Sequence, residues 1–88
     1  MNAPVPLDRP PDAAVVTDYD LAHRITYLRL LDAAVEGADW REVARIVLGL
    51  DPARDHNRAR QVYENHLARA RWMTESGYRD LLKRSELD

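Results

Sequence analysis

The stretch Ala38–Gln61, ADWREVARIVLGLDPARDHNRARQ, decides the fold. Asp39 followed by Glu42 has the form of a capping box, with Asp in the place of the usual Ser or Thr, and starts a helix. Trp40, Val43, Ala44 and Val47 recur at helical spacing and face a core. Gly49 stops this helix by offering the left-handed position. At about ten residues it cannot hold alone, so it must pack on a neighbour. A second helix follows. It starts either at Pro52, with Asp51 as N-cap and proline at the first helical position, or at His56, with Asp55 as N-cap. It runs to about Glu75, where Gly77 closes it. Ala59, Val62, Tyr63, Leu67, Ala70 and Met73 form its buried stripe.

Upstream, one helix is expected from Tyr19 to Glu36, capped by Thr17 or Asp18 and stopped by Gly37. Asp20 in its first turn suits the helix dipole. Leu21, Ile25, Leu28, Leu31 and Val35 make one apolar stripe. Tyr27, Leu30 and Ala34 make a second beside it. The combined arc is wider than one contact uses, so this helix packs on two sides or exposes its second stripe. Downstream, GYRDLL (77–82) turns into a short last helix anchored by Tyr78, Leu81 and Leu82. No alternating run of strand length occurs. The expected fold is all-α: a three-helix, helix-turn-helix-like bundle at 17–88 with a short C-terminal fourth helix. The proline-rich residues 1–16 are expected to form a flexible, disordered tail, because proline fits neither helix nor central strand. A tail folding onto a partner through Val15 and Val16 is the other reading.

The bulk properties narrow the function. The 88 residues suit one domain near the lower limit for a self-sufficient core. The chain contains no cysteine, which excludes disulfides and thiolate metal sites and fits a reducing cytoplasm. No apolar run approaches the roughly 18 residues of a membrane span. The only serines, Ser76 and Ser85, lie in no nucleophile pattern, and His23, His56 and His66 lack metal-pair spacing. The expectation is no enzyme, no metal and no cofactor. His66 falls within an apolar stripe and reads first as a satisfied core histidine, with a pH switch as the alternative.

The net charge is −2. Residues 1–20 carry one Arg against four Asp, while residues 51–73 carry five Arg against two Asp and one Glu. The only net-positive stretch is therefore the third helix. There Arg54, Arg58, Gln61, Asn65 and Arg69 fall on one face. Arg can fork onto guanine, and Gln or Asn onto adenine, so this is a candidate recognition face for DNA or for protein. Two features oppose DNA: the link from Gly49 to His56 exceeds a tight turn, and Asp51, Asp55 and Glu64 stand where phosphates would lie. Tyr27, Leu30, Ala34 and Trp72 are the second candidate, read either as core contacts or as a protein-binding patch.

The sequences LRLLDAAVEGADWREVARIVLGL, RARQVYENHLARARWM and SGYRDLL resemble, in order and spacing, a family of small proteobacterial domains formerly of unknown function. The resemblance covers about residues 21–83. It implies a helix-turn-helix-like fold. Some members are DNA-binding parts of transcription activators, including a type VI secretion regulator and the excision activators of rhizobial integrative and conjugative elements. Others are stand-alone domains, among them a quorum-sensing antiactivator. From this likeness and the acidic balance, the expected function is stoichiometric antiactivation. The partners would be transcription activators, a LuxR-type quorum-sensing regulator or an excision activator, which control horizontal transfer of such an element. The patch Tyr27, Leu30, Ala34 and Trp72 would make the contact in a monomer or weak dimer. The alternative is a DNA-binding regulator using the third helix.

Overall fold

The computed structural model describes residues 6–87, with Tyr78 and residues 84–87 described by their backbone. Expectations for residues 1–5 and for the Tyr78 anchor lie outside the described residues. The order is α1 (Asp18–Ala22), α2 (Arg24–Val35), α3 (Trp40–Leu48), α4 (His56–Trp72), a π-helical turn (Met73–Gly77) and α5 (Tyr78–Leu87). No strand occurs among the described residues. The all-α expectation holds.

The expected single first helix is two. Thr17 caps α1 and accepts from the Asp20 amide, and the Asp20 carboxylate accepts from the Thr17 amide in return, a reciprocal capping box. His23 leaves helical geometry and breaks the rod, and α2 begins at Arg24. Gly37 ends α2 in the left-handed conformation. There the amides of Gly37 and Ala38 close onto the carbonyls of Ala34 and Ala33, the paired bonds of a Schellman motif. Gly49 ends α3 in the same conformation. Asp39 caps α3 through the Arg41 amide, while Glu42 turns to Arg45 at 4.0 Å. The start of α4 is settled at His56: the Asp55 carboxylate accepts from the Arg58 amide.

Gly77 does not stop α4. Its φ is not positive, and the chain continues through the π turn into α5. Glycine serves there for closeness. A Cβ would stand 2.9 Å from the Met73 sulfur, 3.0 Å from the Trp72 ring and 3.2 Å from Val16.

Helices α2, α3 and α4 enclose one core of Leu30, Val43, Ala44, Leu48, Val62, Tyr63 and Leu67, with Leu31, Ala33, Ala34, Trp40 and Val47 packed against it. This decides for the core reading of the second stripe of α2. Tyr27 and Leu30, offered as a protein-binding patch, are 2% and 0% exposed, and Ala34 is half-buried against the core. The exposed side chains are instead Ile25, Leu28 and Val35, from the stripe expected to be core.

Residues 6–16 are not free of the bundle either. Val16 is buried, and its amide donates to the Asp80 carboxylate on α5. Further back, the segment lies along α4, forming with Asn65, Ala68, Arg69 and Trp72 a groove of about 680 Å³.

Candidate nucleic-acid interface

The N-terminal half of α4 presents Asn57, Arg58, Arg60, Gln61 and Glu64 to solvent. Spacing puts Asn57, Gln61 and Glu64 along the middle of that face, with Arg60 on one flank and Arg58 on the other. Arg54 is exposed in the preceding turn, where an Asp51 side chain accepts from the amides of Ala53 and Arg54. Between this turn and α4 lies a shallow hollow of about 370 Å³ lined by Leu50, Asp51, Arg54, Asp55 and Arg58. Two amides and the Glu64 carboxylate, which Arg60 holds, sit centrally, with the guanidiniums at the edges. That is the distribution expected where bases are read between two phosphate strands.

Each flank guanidinium already holds a carboxylate. Arg58 forks onto Asp8, with Nη2 at 2.7 Å and Nε at 3.1 Å, and this contact holds the Asp8 carboxyl below its usual range. Arg60 donates to Glu64 at 2.8 Å and lies over the Trp40 ring, 4.9 Å from its centre. Trp40 also meets His56 edge-on and carries Arg41 on its ring. Asp55 occupies the N-terminus of α4, a position whose dipole would otherwise favour a phosphate.

Two expected members of the recognition face are elsewhere. Asn65 is half-buried beside the N-terminal segment. Arg69 is 6% exposed and belongs to the interior. Its Nε and Nη2 donate to the fully buried Asp20 at 2.9 and 2.7 Å, and Nη1 and Nη2 also donate to the carbonyls of Ala13 and Val15. Tyr27 adds a hydroxyl to Asp20 at 2.9 Å. Burial alone would raise the Asp20 carboxyl, but Arg69, the Thr17 amide and hydroxyl, and Tyr27 outweigh it and hold the group at about 2. The same burial, reinforced by Asp20, pushes the Tyr27 hydroxyl far above its usual value. Trp72 is half-buried, with the Arg69 guanidinium 3.8 Å over its ring and Gly77 close against the ring, so it is not a free anchor.

The Thr17-x-x-Asp20 spacing is the signal that could have found the capping box. Nothing local signalled that the same carboxylate faces a residue 49 positions away. Asp8 was likewise invisible as a partner of Arg58.

His66 is the satisfied core histidine. Its Nδ1 donates to the Val62 carbonyl at 2.8 Å, so Nε2 of the neutral ring accepts from the Tyr19 hydroxyl at 2.7 Å. The Tyr19 oxygen in turn accepts from the Leu7 amide. Burial pushes the imidazole below its ordinary value of 6.5. The folded state therefore binds this proton less readily than the unfolded chain. Its stability contribution is complete above about 6.5 and is lost as pH falls from there through the lower folded value. Urea midpoints are expected to drop between pH 7.5 and 5.5, and His66→Gln should flatten that slope; a wild-type midpoint constant over this range would contradict the burial.

Residues 3–83 match the family model described as T6SS, transcription factor, DNA binding domain (the RovC DNA-binding family). The chain belongs to this family. The match reaches from the N-terminal segment through the helix-turn-helix-like pair α3–α4 and into α5, so the RovC DNA-binding unit spans the contacts of residues 6–16 as well as the bundle. A search of curated proteins found no significant match to the chain. Among the described residues no helix is long and apolar enough to cross a membrane.

Proposed function

We propose that the chain acts in transcription regulation by docking the N-terminal half of α4 on duplex DNA. Asn57 and Gln61 face base edges, and Arg54, Arg58 and Arg60 meet phosphates. The observation that carries this reading is family membership over nearly the whole chain, together with the exposure of these side chains on the second helix of the pair. No catalytic step is required, and no cofactor.

The experiment is selection of binding sites from a random duplex library at low salt, followed by affinity measurements on the enriched sequence. Gln61→Ala is expected to cost about 1–3 kcal/mol and relax specificity at one position; Arg54→Ala should weaken all sequences alike and lower the salt slope by about one. Failure to enrich any sequence, with no salt-dependent binding to the starting pool, would overturn the reading.

A second reading is favoured by two observations: the face arginines hold carboxylates of their own chain, and α2 exposes Ile25, Leu28 and Val35. Beside Leu28 runs an apolar hollow of about 410 Å³ lined by Leu21, Leu31, Met73 and Leu81. These features support an antiactivator that binds a transcription activator, as the resemblance to the quorum-sensing antiactivator QseM implies, with a LuxR-type regulator or an excision activator as target. The contact would then be the exposed α2 stripe, not Tyr27 and Leu30. Inhibition would be stoichiometric, the complex competing in free energy with activator on its promoter.

A further inference from the structure

The N-terminal segment follows the flank of α4 that carries Arg58, Asn65 and Arg69. Asp8 stands at Arg58, residues 9–14 face Asn65, Ala68, Arg69 and Trp72, and the carbonyls of Ala13 and Val15 are held by Arg69. The far end is pinned where Val16 is buried. The near end is held by the Leu7 amide on the Tyr19 hydroxyl and by the Asp8 fork. The guanidinium geometry at Asp8 is the one Arg uses for a phosphate: two parallel N–H donors meeting two oxygens. Both side chains of the pair are more than half exposed, so the contact is screened and opens at small cost.

From this placement we propose that residues 6–16 form an autoinhibitory strap, with the Asp8 carboxylate occupying the fork on Arg58 that a DNA phosphodiester takes. Binding requires Asp8 to leave, while the buried anchor at Val16 and Arg69 stays in place. The strap rests on the DNA reading of α4 given above and adds to it a competitor carried by the chain itself. Free protein then binds duplex more weakly than its exposed arginines would allow. Part of the acidity of the N-terminal segment is also explained: the charge of Asp8 is spent on Arg58.

The test is a fluorescence anisotropy titration of a mixed-sequence duplex over a salt series, with the full chain. Asp8→Asn is expected to bind about three- to tenfold tighter, with a salt slope steeper by about one counterion, because Arg58 gains a phosphate. Asp32→Asn makes the same charge change on the exposed side of α2, outside the strap, and it should alter affinity by less than about twofold and leave the slope alone. In the Arg58→Gln background, Asp8→Asn should bring no gain. Equal gains from Asp8→Asn and Asp32→Asn would reduce the effect to overall charge and overturn the strap. A second measurement needs no DNA: carbon-13 titration of the Asp8 carboxyl in the free chain should show a depressed value that returns to normal in Arg58→Gln. Duplex binding with an ordinary Asp8 titration sinks the strap and leaves the DNA reading standing. A depressed Asp8 titration with no duplex binding by any variant sinks the DNA reading and, with it, the strap's role.

Discussion

Replacing Arg69 by methionine is expected to cost about 3–5 kcal/mol of folding stability at pH 7, most of what a domain of this size commands. Methionine keeps the length and apolar stem of the side chain but leaves the Asp20 carboxylate, fully buried, with only Tyr27 and Thr17 as donors. Breaking one half of a buried ion pair is far more costly than the pair is worth, because the remaining charge is desolvated without its counterpart. Two further bonds vanish with it, those to Ala13 and Val15, so the N-terminal segment should loosen in the same variant. The pH dependence provides an independent check. With its folded value held at about 2 against an ordinary 3.8, Asp20 stabilises the native state fully above about 3.8, and the contribution is lost as pH falls through about 2. In Arg69→Met that acid limb should move toward neutral pH. Urea denaturation from pH 2 to 7 measures both. If Arg69 instead faced DNA, the variant would unfold like wild type, within about 0.5 kcal/mol, and the assignment of Arg69 to the interior would fail.

Why Arg69 reads as a surface residue in the sequence is instructive. Arg54, Arg58, Gln61, Asn65 and Arg69 share a helical face by spacing alone, and arginine is almost never buried without a partner. Its partner, Asp20, lies in another helix, where a first-turn aspartate already has a sufficient local explanation in the dipole and the cap. Two locally complete readings concealed one long-range ion pair. The same limit hid Asp8 on Arg58.

Features that depend on near neighbours were legible. Asp39 is an N-cap, Gly37 and Gly49 are left-handed stops, and α3 and α4 follow with the buried residues Val43, Ala44, Val62, Tyr63, Leu67 and Ala70, while the choice of Thr17 over Asp18 and of Asp55 over Asp51 comes from the structure. In the sequence Gly77 reads as a stop, because a glycine near a helix end normally signals one. Here it marks the close approach of Trp72, Met73 and Val16, and closeness depends on packing that no local pattern encodes.

The face of α2 is the other case, and it supports the sharpest test. Leu30→Asp is expected to unfold the chain at 25 °C, while Leu28→Asp, two positions away, should change stability by no more than about 0.5 kcal/mol. Leu30 is 0% exposed at the meeting of α2, α3 and α4, among Val43, Leu48, Val62 and Leu67. A carboxylate buried in this hydrophobic cluster would cost several kcal/mol at least, the range in which a small domain is lost. Leu28 is 56% exposed. Hydrophobic periodicity groups Ile25, Leu28 and Val35 with Leu21 and Leu31, and leaves open whether Tyr27 and Leu30 are core contacts or a patch. What orients α2 is a polar requirement: Tyr27 must reach Asp20, and Thr26 and Leu30 follow it inward while Ala33 and Ala34 pack against the core. Far-ultraviolet circular dichroism and cooperative thermal unfolding of the two variants decide the orientation. A folded, cooperative Leu30→Asp would place that residue outside the core and return it to the partner-binding surface. The folded Leu28→Asp variant then carries the functional question. Loss of an activator partner with intact structure would favour antiactivation through α2, and unchanged duplex binding in the same variant would keep the DNA contact on α4.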